Sequence, residues 1–331
     1  MGVAPAKVSQ PVTQYVIRRI LYLFPVLIGV SLITFVLMRM IPGDVAQVAL
    51  GTNANEESLS EFRTAYGLNE PLFDWKPPFG QYGQWVGGLL KGDFGKSYYY
   101  RTEVRDDLAQ RLPVTLELMI MAMAVMIVLA IPAGIIAGVR PNTPLDLITR
   151  TTAVFGLSIP VFWLGTLFMM LPAIWFNWMA PTGHISFFRD PLGNLQQFIL
   201  PSLALGIPGA AGIMRLTRSS VLEVLRQDYV RTAWSKGLRQ RTIVWRHVLK
   251  NGLIPIVTVI GLQMGGLLGG AVIVERIFTL PGVGYFTFQS ILSRDYLGVQ
   301  AVVVLAAVVY VFINLAVDIA YVWLDPRIRY V

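Results

Sequence analysis

Six stretches of this chain contain no Asp, Glu, Lys or Arg: residues 20–38, 118–139, 151–183, 198–214, 253–274 and 297–317. Each is close to or above the roughly 20 apolar residues a helix needs to cross a hydrocarbon core. Backbone amides and carbonyls in lipid must be satisfied inside the protein, and a helix does this within one segment. The pattern therefore predicts an all-α integral membrane protein with six transmembrane helices. Only 14% of the 331 residues are charged, and the mean hydropathy is +0.59, which is too apolar for an ordinary soluble domain. The first run follows Arg18 and Arg19, as a signal peptide would, but it is long and meets no small-residue cleavage site before Gly43-Asp44. It is expected to be retained as a helix over residues 17–40.

Charge sets the orientation. Arg18 and Arg19 precede the first run, Arg140 and Arg150 flank the connection between the second and third, and Arg327 and Arg329 follow the sixth. A dense basic series lies between Arg215 and Lys250. Short loops rich in Lys and Arg stay on the cytoplasmic side. Both termini, residues 1–16 and 325–331, are therefore expected in the cytoplasm of a cell whose inner membrane holds the chain. The same rule accounts for the net charge of +8 without nucleic acid. The absence of cysteine removes disulfides and thiol chemistry, and His184 and His247 alone do not make a metal cluster.

The segment 41–112 then lies outside. Its Pro77-Pro78-Phe79-Gly80 turn and its aromatics Tyr82, Trp85, Phe94 and Tyr98 to Tyr100 predict a small folded cap, since disorder needs a less hydrophobic composition. The core is expected over residues 113–324. Pro132, Pro160, Pro172, Pro201 and Pro208 interrupt its spans, and the fifth run carries Gly261, Gly265, Gly266, Gly269 and Gly270. Glycines four apart let helix backbones approach closely, and prolines free carbonyls that neighbours or water must satisfy. Both suit helices that rearrange, and both also occur in static bundles.

Between the fourth and fifth runs, residues 215–252 are too polar to span. Val221, Leu222, Leu225, Tyr229 and Ala233 recur at helical spacing, which predicts one amphipathic helix over residues 219–234. Gly237 is placed to end it in a left-handed conformation, and a second amphipathic stretch follows over residues 241–249.

The run Asp228-Tyr229-Val230-Arg231-Thr232-Ala233-Trp234-Ser235-Lys236-Gly237-Leu238, continuing to Leu249-Lys250-Asn251-Gly252-Leu253-Ile254-Pro255, resembles the "EAA" loop of bacterial ABC importer permeases. Arg231, Thr232 and Ala233 stand at the Glu-Ala-Ala positions and Gly237 at the glycine, while His247 and Lys250 depart from the general isoleucine and proline. Those departures resemble the dipeptide, oligopeptide and nickel branch, and in particular its B-type subunit. So do Pro42-Gly43-Asp44, Gly92-Asp93-Phe94-Gly95-Lys96-Ser97, Arg111-Leu112-Pro113-Val114-Thr115-Leu116-Glu117-Leu118, Ser158-Ile159-Pro160-Val161-Phe162-Trp163-Leu164-Gly165 and Glu275-Arg276-Ile277-Phe278-Thr279-Leu280-Pro281-Gly282-Val283-Gly284.

The resemblance implies a non-catalytic permease that pairs with a second homologous permease. Two ABC ATPase subunits would bind ATP and Mg, and an extracytoplasmic solute-binding protein would deliver a di- or oligopeptide, with nickel, glutathione or an oligosaccharide as the alternative solutes of the same branch. It also implies that Asp228, Tyr229, Arg231, Thr232, Ala233, Lys236 and Gly237 contact an ATPase. Glu117, Pro160, Gly265 and Gly269 are candidates for the solute path. Glu117 has a second reading, as a helix-end group paired with Arg111, and Asp318, in the sixth span just past its uncharged run, is expected near interface water or a basic neighbour.

Gly95-Lys96-Ser97 imitates a phosphate loop, but Leu90 occupies the position of its first glycine, so nucleotide chemistry is expected on another polypeptide. No nucleophile with its base is visible. The rival class, an ion-coupled transporter or channel, would show several intramembrane charges and inverted repeats, neither of which stands out. A basic helix resting on anionic lipid is the bland alternative for the loop.

Overall fold

The computed structural model describes residues 12–324 except 52, 53, 75 and 78; the side chains of 12–20, 22, 23, 254 and 317–324 are also outside the description. The terminal segments 1–11 and 325–331, the turn residue Pro78 and the Asp318 side chain thus lie outside the described residues. The order of elements is α1 (Val12–Met40), α2 (Val45–Leu50), α3 (Glu56–Ala65), α4 (Gly80–Leu90), α5 (Val104–Val139), α6 (Pro144–Ser158), α7 (Val161–Phe176), α8 (Pro191–Leu225), α9 (Asp228–Ser235), α10 (Gln240–Ile243), a π turn (Val244–Val248), α11 (Leu249–Gly252), α12 (Ile254–Phe278), α13 (Val283–Leu292) and α14 (Tyr296–Leu324). Apart from one isolated bridge between Lys96 and Glu103, the described residues are helix, turn and loop.

Four helices are long and apolar enough to cross a membrane: Val104–Val139, Pro191–Leu225, Pro255–Phe278 and Tyr296–Ala316. The first apolar run lies in α1, whose apolar part among the described residues is Phe24–Met40. The third run is not one straight helix. It breaks between α6 and α7, which meet at 99°. The cause is local: Ile159 is extended (φ −87°, ψ 120°) because the residue before a proline is pushed out of the helical region, and Pro160 then caps α7. α6 begins on a firm signal, Pro144 in its first turn and the Thr143 hydroxyl accepting from the Asp146 amide at 3.4 Å. The fourth run likewise extends beyond the apolar residues, since α8 continues to Leu225.

The chain divides into two compact units, one built mainly from Leu116–Leu280 and the other from Ile20–Thr115 with Pro281–Val309. In the second unit, Asp44 of Pro42-Gly43-Asp44 caps α2, its carboxylate accepting from the Ala46 amide at 3.0 Å and from Arg63 of α3 at 2.5 Å. Asn55 caps α3 through the Ser58 amide at 2.8 Å. Met38, Ala46, Leu59, Phe62, Tyr98, Tyr296 and Val299 form one buried cluster, and Phe35 stacks on Trp85 and meets Tyr82 edge-on. Of the aromatics singled out in the sequence, Trp85 and Tyr98 are buried, whereas Tyr99 and Tyr100 are exposed.

The phosphate-loop imitation also finds its role in this unit. Ser97 is fully buried and donates to the Asp295 carboxylate at 2.5 Å, while the Tyr98 and Gly298 amides donate to its other oxygen at 3.1 and 3.4 Å. Burial raises the Asp295 pKa above the ordinary carboxylate value, and these three hydrogen bonds only partly oppose it. Lys96 points elsewhere, 3.4 Å from Glu103.

In the first unit, α5 and α8 pack backbone to backbone. A Cβ on Gly134 would meet the Met214 carbonyl at 2.7 Å, one on Gly138 the Arg218 carbonyl at 3.0 Å, and one on Gly206 the Ala122 carbonyl at 2.8 Å. Gly134 and Gly138 are the four-apart pair through which small residues let membrane helices touch.

Candidate functional site

The polar segment after α8 folds as a compact knot. α8 ends at Leu225, Gln227 is extended (φ −71°, ψ 146°), and α9 starts at Asp228. The single helix expected over residues 219–234 is thus two helices, and the break resets the phase between them. Tyr229, expected on the buried stripe with Val221, is 43% exposed, and the side chain that turns inward is Val230. Val230 and Ala233 pack with Val221, Ile243, Val244, Val248 and Leu249, and Ile135 and Val139 of α5 close over the same cluster. α9 is held by these two buried side chains and by Tyr229, whose hydroxyl accepts from the Asn251 amide at 2.9 Å.

The rest of α9 is free. Asp228 and Arg231 are 3.6 Å apart with both side chains largely in solvent, an exposed pair of little energetic weight. The Thr232 hydroxyl donates to the Asp228 carbonyl at 3.0 Å, and Lys236 and Gly237 are exposed beyond the last turn. Trp234 is 45% exposed and Leu238 37%. Gly237 has φ +73°, the left-handed conformation expected at this helix end. The second amphipathic stretch begins as α10, distorts into the π turn and closes as α11, with Val244 and Val248 inward and Trp245 66% exposed. Six of the seven residues expected to contact an ATPase therefore lie on one exposed surface, and the seventh, Ala233, anchors the helix beneath them.

The four candidates for the solute path are spread over three elements, α5, the start of α7 and α12, the last of which carries both glycines. Glu117 of α5 is half-buried; it accepts from the Asn194 amide at 2.7 Å and stands 3.3 Å from His184. Its partners are these two residues, whereas Arg111 pairs with Asp107 at 3.8 Å. Asn194 also donates to the Ile185 carbonyl, and Gln197 to the Pro181 and Gly183 carbonyls, so α8 fastens the connection that precedes it. Pro160 is exposed at the α6–α7 bend. Gly265 faces the Tyr310 ring, which a Cβ would penetrate, and a Cβ on Gly269 would meet nothing.

One feature carried no local sequence signal. Asp146, in the first turn of α6, is fully buried and accepts two parallel bonds from Arg218 of α8, at 2.5 and 2.9 Å. The Asn142 amide adds a third at 2.9 Å, and Arg150 stands 3.5 Å away.

Comparison with known proteins places this architecture. Residues 130–330 match the family described as binding-protein-dependent transport system inner membrane component, and residues 12–119 match the N-terminal family of the same membrane components. The chain is 38% identical to the dipeptide transport system permease protein DppB of Alkalihalophilus pseudofirmus and 36% identical to the oligopeptide transport system permease protein AppB of Bacillus subtilis. It is 39% identical to the glutathione transport system permease protein GsiC of Escherichia coli. Each match covers 96% of this chain and 99% of the relative.

Among solved structures, a chain of the MetNI methionine ABC transporter in an inward-facing conformation aligns with a TM-score of 0.53 at 17% identity, over 66% of this chain and 96% of that one. A chain of an amino acid ABC transporter solved with histidines aligns at 0.52 and 14%, over 65% and 93%. At such identities the likeness concerns the fold. With family matches along nearly its whole length and relatives collinear from end to end, the chain belongs to the inner membrane components of binding-protein-dependent transport systems.

Proposed function

We propose that this chain is one of two permease subunits of an ATP-driven importer of di- or oligopeptides, and that α9 is the element through which a separate ATPase moves it. The observation that carries the reading is the construction of α9. Two inward side chains lock it to α5, α8 and the α10–α11 knot, while Asp228, Tyr229, Arg231, Thr232, Trp234 and Lys236 face solvent. Exposed Tyr229, Arg231 and Trp234 are of the residue types that dominate protein interfaces. The printed names of the relatives, dipeptide, oligopeptide and glutathione permeases, support a peptide-like solute.

In this reading α1 and the α6–α7 pair complete six spans, residues 41–112 form an outer cap, and residues 215–252 face the cytoplasm with both termini. A solute-binding protein docks outside. ATP and Mg sit on the two partner ATPases, and this chain contributes two conformations of unequal stability for ATP binding to bias. Glu117, Pro160, Gly265 and Gly269 remain the proposed lining of the path.

Purification in mild detergent from the native membrane tests the assignment. A second permease, ATPases and a binding protein are expected with the chain, and the bound ligand of the last identifies the solute. Recovery of the chain alone, transporting without ATP, would overturn the importer reading in favour of a secondary transporter or channel.

A further inference from the structure

Three elements besides α9 are fastened to the same short stretch of α8. Gly134 of α5 lies against Thr217 and the Met214 carbonyl, and Gly138 against Val221 and the Arg218 carbonyl, so closely that no Cβ fits at either position. Asp146 of α6 is clasped by Arg218. The buried Ser220 hydroxyl donates to the Gly252 carbonyl of α11 at 2.7 Å. Val221 in turn enters the cluster that holds Val230 and Ala233 of α9.

These attachments differ in how they respond to displacement. Apolar packing can slide by a rotamer, and the glycine contacts restrain approach without fixing position along the helix. A two-bond guanidinium–carboxylate fork fixes both distance and orientation. Taking the Asp146 carboxylate out of water costs desolvation that its partner Arg218, itself 21% exposed, must offset, and apolar replacements of such pairs often do as well. With Asp146 fully buried and the Arg218 side chain 21% exposed, what the fork adds over packing is geometric specificity.

We propose that the Asp146–Arg218 pair is a positioning link that makes α6 follow α8 whenever α9 is displaced, so that motion of the coupling helix reaches the α6–α7 bend at Pro160. Neither side chain touches solute or nucleotide. Ordinary packing holds α8 and α6 together, and the fork decides that they move as one body. The proposal rests on the importer reading.

The test uses the complete importer in proteoliposomes, with Asp146→Asn and Arg218→Lys in this chain. Lysine keeps the charge and much of the volume but lacks the planar fork. ATP hydrolysis stimulated by solute-loaded binding protein is measured beside solute uptake, and the result is the uptake per ATP. A purely structural pair lowers both rates together as less complex assembles, leaving the ratio unchanged. The link predicts that hydrolysis persists in both variants while the ratio falls about tenfold, within the range by which single substitutions alter coupling. If Asp146→Asn fails to assemble, Arg218→Lys decides alone. An unchanged ratio in the assembled variants, or failure of both to assemble, overturns the proposal. Absence of ATP-driven uptake by the unsubstituted complex would instead overturn the importer reading beneath it.

Discussion

Replacing Gly134 by alanine adds one methyl group where α5 meets α8. That methyl carbon would lie 2.5 Å from Thr217 Cβ, 2.7 Å from the Met214 carbonyl oxygen and 2.9 Å from Thr217 Cγ2. Carbon atoms in contact normally sit about 3.5–4.0 Å apart. Two of the three obstacles, the carbonyl and the Cβ, cannot move by side-chain rotation, so the helices must separate by about 1 Å to restore that spacing. Overpacking of this kind costs about 1–3 kcal/mol, and alanine recovers about 0.5–1 kcal/mol as the better helix former, leaving a net loss of between about 0 and 2.5 kcal/mol. Gly269→Ala provides the contrast, since its methyl group meets nothing within 4 Å and only the helix-forming gain of about 0.5–1 kcal/mol remains. Gly270→Ala should fall between them, because its single obstacle is the end of the flexible Leu205 side chain. Unfolding of the purified chain in mixed micelles of rising denaturing-detergent content would rank the three. Gly134→Ala as stable as Gly269→Ala would refute the close approach of α5 and α8 at this turn.

Trp234→Ala should leave the chain's own stability within about 0.5 kcal/mol, as expected for an exposed site, yet weaken ATPase binding by about 2 kcal/mol or more if this ring is an interface anchor; titration of the purified ATPase onto the permease checks both. Asp295 should make the fold pH-dependent. Its pKa is raised in the folded state, so its contribution is fully present below the ordinary value of 3.8 and is lost as pH rises through the higher folded value. Asp295→Asn removes this dependence, and its stability relative to the parent should therefore improve between pH 4 and pH 7. A difference between the two that stays constant with pH would contradict the burial argument.

What the sequence made legible was local. Uncharged runs of the right length located the apolar helices, and Gly237 marked a helix end because only φ > 0 suits that position. The buried face of the polar knot was misjudged by one residue, Val230 for Tyr229, because a periodicity drawn across residues 219–234 assumes one unbroken helix and the extended Gln227 resets it. Gly134 and Gly138 have the same spacing as Gly265 and Gly269 of the fifth run but lie against a neighbouring backbone, whereas Gly265 meets a side chain and Gly269 meets nothing; spacing alone does not say which glycines face a neighbour. Pro160 was visible as an interruption, but its 99° consequence depends on both arms being long enough to form helices. The Asp146–Arg218 pair had no legible precursor. Its members are 72 residues apart, and each alone looks like an ordinary charge at the edge of an apolar run.

The bond between Ser97 and Asp295 joins residues 198 positions apart. On a ribosome adding about 5–20 residues per second, the serine is made roughly 10–40 s before the aspartate that will accept its hydrogen bond. During that interval α5, α6, α7, α8 and α12 are all synthesised, while the hydroxyl and the neighbouring aromatic side chains wait for the segment that buries them. The unit that holds both residues is thus interrupted by the whole of Leu116–Leu280 before it can close, and its unfinished surface needs shielding until residue 295 has been made.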